Sequence, residues 1–452
     1  MNRIAGRTFI AMLLVFALLG GTVFFLSEYF AKGEEWVLFS GSPHVYGGTK
    51  LSTGMILDRD GALLLDLSGD KTYAPDASLR KAMLHWTGDR QGNVYTPILS
   101  EYTPDMVGYD AFNGVYSYAN EPGRMTLTLS SKAQKAALEA MGERVGTVAV
   151  YNYRTGELLC AVTTPNFDPD NVPDIAGDTS GSYEGVYLNR FTQSVYIPGS
   201  IFKIATLAAA LETRRDMEDM RFTCDGVYEI GSGDVTCEKI HGKQDLKSAF
   251  SNSCNCAFAQ IVELVGRDKL QQYVEQFAVT ESVSFDGITT AQGNFDVSNA
   301  YGESLAWAGI GQYTDQINPC SFMGFMGAIA NGGKGVSPYV VSTVQVGSHR
   351  TYRAKAADNR RVMSGATAQI LTEYLRNNVE VKYGAENFPG LTVCAKTGTG
   401  EVGGGRKPNA MFAGFVEDEA YPYAFIVAVE DGGYGSSVCI PIISKVLKVL
   451  CQ

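Results

Sequence analysis

The sequence predicts an α+β protein in which helices flank a five-stranded antiparallel sheet, with a small, mostly β N-terminal part and one transmembrane helix. Three patterns indicate this architecture. Short runs rich in Val, Ala and Phe predict strands, apolar residues recur at helical spacing after Ser200, and a long uncharged run lies near the N-terminus. The five expected strands are 146–151, 158–162, 391–395 leading into Lys396, 410–416 and 423–429.

The composition excludes several classes of protein. The 452 residues carry 48 acidic and 37 basic side chains, and the net charge of −11 argues against a nucleic-acid partner. An apolar fraction of 45% is too high for a disordered chain. Nine cysteines without a C-x-x-C pair do not indicate a disulfide scaffold, a redox protein or a zinc ribbon.

The N-terminus predicts a membrane anchor. Residues 8–27 carry no charge and are long enough to span a bilayer as a helix. Arg3 and Arg7 precede this run and acidic residues follow it, so we expect a cytoplasmic N-terminus and an extracytoplasmic remainder. A cleaved signal peptide is the alternative, but no A-x-A-like site follows the run.

We expect the chain to divide into three parts. Residues 1–30 are the expected cytoplasmic stub and anchor, and residues 31–124 are an expected small pedestal that resembles a dimerisation domain. Residues 125–452 are the expected catalytic domain. Within the pedestal, Asp60-Gly61 between apolar runs predicts a hairpin. A strand at 125–129, a helix at 132–141 capped by Ser130, and a terminal helix at 442–450 complete the predicted elements.

The first chemical motif is Ser200-Ile201-Phe202-Lys203. Pro198-Gly199 breaks the chain before a helix that we expect to begin at Ser200, so Ser200 and Lys203 share one face. A lysine can take the proton of a serine hydroxyl only when burial or nearby positive charge lowers its pKa. A second S-x-x-K at Ser78–Lys81 shows that the motif alone is weak, and we interpret that copy as solvated surface.

Two further motifs follow in order along the chain. Ser253-Cys254-Asn255 follows an expected helix that ends near residue 250, and the hydroxyl and amide, two residues apart, lie on one side of a turn. Lys396-Thr397-Gly398-Thr399 follows a strand-like stretch and places a second cation and two hydroxyls along a strand edge. Each is ordinary in isolation, whereas the ordered set is not.

The set S-x-x-K, S-x-N and K-T-G resembles the penicillin-binding protein and serine β-lactamase superfamily. The anchor and the non-catalytic N-terminal part resemble class B penicillin-binding proteins, the monofunctional transpeptidases. The resemblance implies the penicillin-binding transpeptidase / β-lactamase-like fold. It also implies that Ser200 attacks a D-Ala-D-Ala stem peptide of peptidoglycan to form an acyl-enzyme, that β-lactams acylate the same serine as inhibitors, and that no cofactor is required.

The same resemblance implies roles for the other motif residues. Lys203 is the expected base, Ser253 returns the proton to the leaving amine, and Asn255 holds the substrate amide and Lys203. Lys396 is expected to raise the local positive potential, which keeps Lys203 neutral and attracts the substrate carboxylate.

The substrate-binding residues come from the third motif and its neighbours. Thr397 and Thr399 are expected to bind the carboxylate, and the backbone N–H groups of Ser200 and Thr399 to form the oxyanion hole. Gly398 is expected to allow close approach of the substrate, because a side chain there would obstruct it.

Three functions stay open at this level. The first is a membrane-anchored D,D-transpeptidase, for which the resemblance implies a polytopic glycan polymerase partner. The second is a D,D-carboxypeptidase or β-lactamase, which needs a base to activate water, and the sequence does not clearly supply one. The third is a non-catalytic scaffold of cell-wall assembly or a β-lactam sensor, although the few residues before the span cannot hold a signalling domain.

A candidate metal site surrounds the second motif. Cys224, Cys237 and His241 precede it at spacings that a hairpin-borne zinc site tolerates, and Cys254 lies within it. Because Ser253 and Asn255 face the cleft, we expect Cys254 to point behind it, where a structural zinc would brace the loop. The alternatives are a Cys224–Cys237 disulfide and unligated buried thiols with a satisfied histidine.

Overall fold

Ten of the thirteen α-helices in the described part of the chain follow residue 130. The computed structural model describes residues 2–38, 54–68, 70–112, 114–115, 123–355 and 360–452, so part of the expected pedestal lies outside the described residues. The α-helices are α1 Asn2–Leu38, α2 Ala77–Thr87, α3 Pro97–Val107, α4 Ser131–Met141, α5 Arg190–Gln193, α6 Lys203–Thr213, α7 Leu246–Ser251, α8 Asn255–Val265, α9 Arg267–Phe277, α10 Glu303–Ile310, α11 Pro319–Ala330, α12 Gly365–Asn378 and α13 Gly435–Leu450.

Among the described residues, the strands form one six-stranded sheet, one five-stranded sheet and several two-stranded sheets. They are β1 Met55–Leu57, β2 Leu63–Asp66, β3 Thr72–Tyr73, β4 Tyr109–Asp110, β5 Gly114–Val115, β6 Gly123–Leu127, β7 Gly146–Asn152, β8 Leu158–Thr164, β9 Arg221–Cys224, β10 Val227–Ile230, β11 Gly233–Thr236, β12 Gly242–Asp245, β13 Ser284–Phe285, β14 Ile288–Thr289, β15 Lys334–Gly335, β16 Val341–Val346, β17 His349–Arg353, β18 Arg360–Arg361, β19 Val393–Gly400, β20 Asn409–Val416 and β21 Tyr423–Val429. Short 3₁₀ turns cover Gly199–Ile201, Met217–Asp219 and Ala385–Asn387, and a π-helical turn covers Val379–Tyr383.

The predicted five-stranded sheet is confirmed. Its order is β19-β20-β21-β7-β8, and every neighbouring pair is antiparallel. Both faces are buried: Phe412 of β20 belongs to a core shared with α4 and α13, whereas Met411 and Ala413 belong to the core that contains α11. Burial on both faces explains why these strands are continuously apolar. β19 is an edge strand, so one side of its backbone is free to face a cleft.

A second sheet joins distant parts of the chain. Its six strands have the order β17-β16-β6-β1-β2-β3, and β6 pairs with β1 in parallel and with β16 antiparallel. The hairpin predicted at Asp60-Gly61 connects β1 and β2. The expected boundary after residue 124 lies inside β6, and the division into pedestal and catalytic domain stays a prediction.

The helix boundaries differ from the predicted ones in two places. Ser200 lies in the 3₁₀ turn Gly199–Ile201, and the α-helix begins at Lys203. The terminal helix begins at Gly435, seven residues before the predicted start at 442. Pro441 lies inside this helix, although a proline normally indicates a helix boundary. Ser130 caps α4 as predicted, since its hydroxyl accepts the Ala133 N–H.

Two further features are the apolar part of α1 and an ion pair that joins α2 to the loop after β8. Within α1, the span Ile4–Gly33 is long and apolar enough to cross a membrane, and an 18-residue window within it has a mean hydropathy of 2.6 and is not buried. The surface copy of S-x-x-K lies on α2, where Ser78 and Lys81 are exposed as expected. Arg80, between them, instead binds both carboxylate oxygens of Asp168 at 2.7 and 2.6 Å and thus ties α2 to the loop after β8.

Candidate active site

The three sequence motifs meet in one cleft. It lies between the turn that carries Ser200, the loop between α7 and α8, and the free edge of β19, and it encloses about 780 Å³. Its walls include Ser200, Thr236, Glu238, Ser253, Asn255, Trp307, Gln312, Lys382, Thr397, Thr399, Glu401 and Tyr434.

The nearest polar partner of the Ser200 hydroxyl is the amino group of Lys203. Lys203 Nζ lies 3.1 Å from Ser200 Oγ, which is within hydrogen-bonding distance. The Lys203 side chain is fully buried, and its amino group lies over the ring of Phe258 at 5.5 Å from the centroid. The 3₁₀ turn followed by a helix therefore places a hydroxyl and a buried amine on one face, as their spacing predicted.

The amino group of Lys203 also binds the second motif. Its Nζ lies 2.7 Å from the Ser253 carbonyl oxygen, 3.2 Å from Ser253 Oγ and 2.6 Å from Asn255 Oδ1. Burial lowers the pKa of Lys203 to about 8, and Coulombic interaction with Cys237 and Cys254 opposes this shift. At pH 7 about a tenth of the Lys203 amine is therefore neutral and free to accept a proton.

The loop between α7 and α8 is held in an unusual conformation. Ser253 has a φ of 52°, in the left-handed region that non-glycine residues rarely adopt. Cys254 is completely buried and caps α8, because its Sγ accepts the Ala257 N–H at 3.4 Å. Asn255 donates its amide to the Thr236 carbonyl at 2.9 Å. Ser253 and Asn255 thus line the cleft, and Cys254 points behind it, as expected.

The second lysine reaches the same hydroxyl from the strand. Lys396 is fully buried in β19, and its Nζ lies 3.0 Å from Ser253 Oγ. Burial, reinforced by Lys203, lowers the pKa of Lys396 well below its usual value. Burial is also the main cause of the lowered pKa of Lys203. The sequence predicts that the charge of Lys396 keeps Lys203 neutral, but burial is the main cause of the lowered pKa of both lysines.

A side chain at Gly398 would meet another part of the chain, and the expected obstruction of the substrate stays a prediction. A Cβ on Gly398 would lie 2.7 Å from the Pro198 carbonyl oxygen and 3.0 Å from Ile201 Cγ2. A side chain at position 398 would therefore clash with the protein's own turn around Ser200. The close approach of β19 to this turn sets the distance between Thr399 and Ser200.

Sequence reasoning gave no role to two residues that contact β19. Gln312 donates its amide to the Thr399 carbonyl at 3.0 Å, and the hydroxyl oxygen of Tyr383 accepts the Thr397 N–H at 3.1 Å. Gln312 ends the stretch Gly309-Ile310-Gly311-Gln312, whose sequence gives no signal for this contact. Tyr383 belongs to a π-helical turn, and no sequence pattern predicted that turn.

The cysteine–histidine cluster consists of Cys224, Cys237, His241 and Cys254, and its ligand atoms all lie within 4.8 Å of one another. His241 Nδ1 lies 3.5 Å from the Sγ atoms of both Cys224 and Cys237, and Cys237 Sγ lies 3.9 Å from Cys254 Sγ. Cys224 and Cys237 are separate thiols, so the disulfide alternative is not the arrangement in this structure. Cys254 belongs to the loop that carries Ser253, so the cluster includes part of that loop.

Comparisons with known proteins match this geometry. The model of the penicillin-binding protein transpeptidase domain matches residues 146–448. The chain is 26% identical over 336 residues to the peptidoglycan D,D-transpeptidase PbpA of Mycolicibacterium smegmatis. The matched residues make up 69% of this chain and 68% of that protein. It is 27% identical over 400 residues to stage V sporulation protein D of Bacillus subtilis, covering 83% of this chain and 58% of that one.

Solved structures show the same fold. The D,D-transpeptidase domain of a peptidoglycan glycosyltransferase from Eggerthella lenta superposes with a TM-score of 0.75 at 26% identity, covering 88% of this chain and 98% of that one. Penicillin-binding protein A from M. tuberculosis, as a ceftriaxone acyl-enzyme complex, superposes with a TM-score of 0.74 at 24% identity, covering 88% and 98%. The chain therefore belongs to the penicillin-binding protein transpeptidase family.

Proposed function

We propose that this chain is a class B peptidoglycan D,D-transpeptidase that cross-links stem peptides through an acyl-enzyme on Ser200. The observation that carries the proposal is the position of the Lys203 amine, 3.1 Å from Ser200 Oγ and 2.6 Å from Asn255 Oδ1. Its fully buried side chain favours the neutral amine, which is the form that can accept the serine proton.

In the acylation step, Ser200 Oγ attacks the penultimate D-Ala carbonyl carbon while its proton moves to Lys203 Nζ. The C–N bond to the terminal D-Ala then breaks, and the leaving amine takes a proton through the Ser253 hydroxyl, which lies 3.2 Å from Lys203 Nζ. In the second step an acceptor amine attacks the ester, forms the new amide and returns the proton to Ser200. β-Lactams acylate Ser200 by the same first step.

The proposed oxyanion hole consists of the backbone N–H groups of Ser200 and Thr399. The Thr397 and Thr399 hydroxyls line the cleft and are the proposed donors to the substrate carboxylate, next to Lys396. Asn255 is the proposed partner of the substrate amide. Removing one oxyanion donor typically costs about 3 kcal/mol of transition-state stabilisation.

A hydrolytic function is the second candidate, and the contacts of Lys203 favour the transpeptidase. Hydrolysis of the ester needs a base that activates water. Among the residues that the structure describes, the hydrogen-bond partners of Lys203 are Ser200, Ser253 and Asn255. Two carboxylates, Glu238 and Glu401, line the cleft, and neither is a hydrogen-bond partner of Lys203. The lifetime of a penicillin adduct separates the two functions, since an adduct lost within seconds would support a β-lactamase.

Labelling with a fluorescent penicillin tests the proposed nucleophile. Membranes with the wild-type chain should show a labelled band, and Ser200→Ala should abolish it. Ser78→Ala is the matched control, because it changes the exposed serine of the other S-x-x-K motif, and its labelling should equal that of the wild type. Equal labelling of wild type and Ser200→Ala would overturn the assignment. Cross-linking of a synthetic D-Ala-D-Ala stem peptide should follow the same order.

We further propose that residues 1–30 anchor the protein with the N-terminus in the cytoplasm, below a 31–124 pedestal and an extracytoplasmic 125–452 catalytic domain. Arg3 and Arg7 before the apolar run support this orientation. Trypsin added to intact spheroplasts should therefore digest the catalytic domain, and inverted vesicles should protect it. Protection in spheroplasts would contradict the orientation.

A polytopic glycan polymerase is the proposed partner in the membrane. The support is an 18-residue apolar window of α1 that is not buried against the rest of the chain, so its sides are available to another membrane protein. A photo-crosslinker at Phe16, which is exposed, should capture a polytopic polymerase in native membranes. Capture of lipid alone would count against this partner.

Acyl transfer itself needs no cofactor, and we propose a structural zinc at the cysteine–histidine cluster. A tetrahedral zinc with bonds of about 2.3 Å to sulfur separates its ligands by about 3.8 Å. The separations of 3.5 and 3.9 Å within the cluster fit that geometry. Because Cys254 lies between Ser253 and Asn255, a metal there would hold the loop that contacts Lys203.

Metal analysis of the purified protein tests the zinc proposal. We expect one zinc per chain in protein prepared without chelator, and its loss in Cys224→Ser. Cys451→Ser, at a thiol outside the cluster, is the control and should keep the metal. Absence of zinc in the wild type, or two thiols missing by titration, would remove the proposal.

A further inference from the structure

The first two residues after α10 join the two sides of the proposed oxyanion hole. The Gly311 carbonyl accepts the Gly199 N–H at 2.9 Å, directly before Ser200. The Gln312 side chain donates its amide to the Thr399 carbonyl at 3.0 Å. These two residues therefore hold the turn that carries Ser200 and the edge strand β19 at a fixed distance from each other.

The carbonyl and the N–H of Thr399 face away from the neighbouring strand β20. Two residues earlier, the Thr397 N–H points away from β20, because it donates to the Tyr383 hydroxyl oxygen at 3.1 Å. Residues two apart on an antiparallel strand have the same orientation, and the N–H and carbonyl of one residue point to the same side. The hydrogen bond from Gln312 to the Thr399 carbonyl agrees with this orientation. Fixing this carbonyl therefore also fixes the direction of the Thr399 N–H.

The three segments leave no room for side chains where they meet. Gly199 and Gly311 have φ values of 52° and 92°, in the left-handed region that favours glycine. A Cβ on Gly199 would collide with the Thr399 carbonyl oxygen, and a Cβ on Gly311 would collide with the Gly199 carbonyl oxygen. The backbones therefore touch directly, and a shift of β19 would change the position of the Thr399 N–H relative to Ser200.

The Gln312 amide binds β19 where a neighbouring strand would otherwise do so. β19 ends the five-stranded sheet, and its Thr397 and Thr399 line the cleft. In the interior of a sheet the next strand would bind the Thr399 carbonyl. An oxyanion donor is effective only at about 2.7–3.1 Å from the developing charge, so small displacements of an edge strand weaken it.

We propose that Gln312 is a positioning residue that fixes the Thr399 N–H as an oxyanion donor. The inference rests on the proposed function and goes beyond it, because it assigns support of the transition state to a residue outside the three motifs. Gln312 acts through Thr399 and does not itself touch the reacting atoms.

Acylation kinetics with a penicillin test this role, because they separate noncovalent binding from the chemical step. Gln312→Met keeps the length of the side chain and removes its amide. We expect the first-order acylation constant to fall about tenfold and the dissociation constant of the noncovalent complex to stay unchanged, because the oxyanion forms only in the transition state. Gln276→Met is the matched control, since that amide binds the Val362 carbonyl at 2.9 Å outside the cleft. It should leave both constants unchanged.

A boronic acid with the same side chain as the penicillin gives a second readout. Ser200 Oγ adds to the boron, no bond breaks, and the serine proton moves to Lys203. The product is a tetrahedral anion with one oxygen in the oxyanion hole, so it resembles the transition state. In Gln312→Met its affinity should fall by the same factor of about ten. A purely structural role of Gln312 would lower the Tm and leave this affinity unchanged.

Three results would overturn the proposal: an unchanged acylation constant in Gln312→Met, an unchanged affinity for the boronic acid, or a loss confined to noncovalent binding. Should Gln312→Met fail to fold, Gln312→Asn takes its place, because its amide is one methylene too short to reach Thr399. A wild-type acylation constant in that variant would equally overturn it. Failure of the proposed function is distinct, because it appears as labelling of Ser200→Ala.

Discussion

The amino nitrogen of Lys396 lies 3.0 Å from the hydroxyl oxygen of Ser253. Lys203 approaches the same oxygen at 3.2 Å, so two fully buried amines share one hydroxyl. Burial lowers the pKa of both lysines, and their mutual repulsion adds to the shift of Lys396. Two adjacent charged amines without solvent would be costly, and the site is therefore suited to hold and release a proton.

The pH dependence of acylation follows from the pKa of Lys203. Only the neutral amine accepts the Ser200 proton, and burial lowers the pKa of Lys203 to about 8. The second-order rate constant for a β-lactam should therefore rise with pH and level off above about 8. Each pH unit below that value should lower it about tenfold. Stopped-flow measurements between pH 6 and 9 check this profile, and a flat or falling profile would exclude Lys203 as the base.

Removal of the shared hydroxyl should slow acylation. Ser253→Ala deletes the atom that both lysines contact, and loss of a proton-transfer group typically costs about 100-fold or more. Acylation kinetics of the purified variant measure the loss. Ser251→Ala, in which the lost hydroxyl bonded the Ser248 carbonyl, is the nearby control. Equal rates for the two variants would show that Ser253 carries no proton.

Gly398→Ala should destabilise the protein as well as the site. The added Cβ would meet the Pro198 carbonyl oxygen at 2.7 Å, and overpacking of this kind typically costs about 1–3 kcal/mol. Thermal unfolding of the solubilised protein should show a lower Tm, together with slower acylation. Gly324→Ala, where a Cβ has open space inside α11, should keep or raise the Tm. An unchanged Tm for Gly398→Ala would mean that β19 can move away from the Ser200 turn at little cost.

The ion pair between Arg80 and Asp168 should contribute to stability. Arg80 holds both carboxylate oxygens, and their hydrogen bonds are the main cause of the lowered pKa of Asp168. Because the folded-state pKa is the lower one, this contribution is present above about pH 4 and is lost as pH falls through the folded-state value. Arg80→Ala should lower the free energy of unfolding by about 2–3 kcal/mol at pH 7. Denaturant unfolding measures it, with exposed Lys81→Ala as a control expected to be neutral.

Local patterns predicted much of the fold and the motif residues. The five strands, the cap at Ser130 and the convergence of Ser200, Lys203, Ser253 and Lys396 follow from periodicity, capping chemistry and the family resemblance. Contacts between distant segments were not predictable. The partnership of β6 with β16 depends on pairing across more than 200 residues, and such pairing leaves no local pattern.

The electrostatics and the supporting contacts also needed coordinates. Both lysines could be identified in the sequence, but their complete burial could not be predicted from it. That burial is the main cause of their lowered pKa values. Tyr383 was missed because it reaches Thr397 from a π-helical turn, and the Gly398 clash is with Pro198 rather than with substrate alone. Each depends on how two segments approach one another.

Activation of Ser200 by the neutral amine of Lys203 is tested most directly by intact-mass spectrometry of β-lactam acylation over time. In the wild type, one adduct should form per chain and map to the peptide that contains Ser200. In Lys203→Met, which keeps the buried volume and removes the amine, the adduct should form about 100-fold more slowly or not at all. An equal rate in Lys203→Met, or an adduct on a residue other than Ser200, would contradict this mechanism.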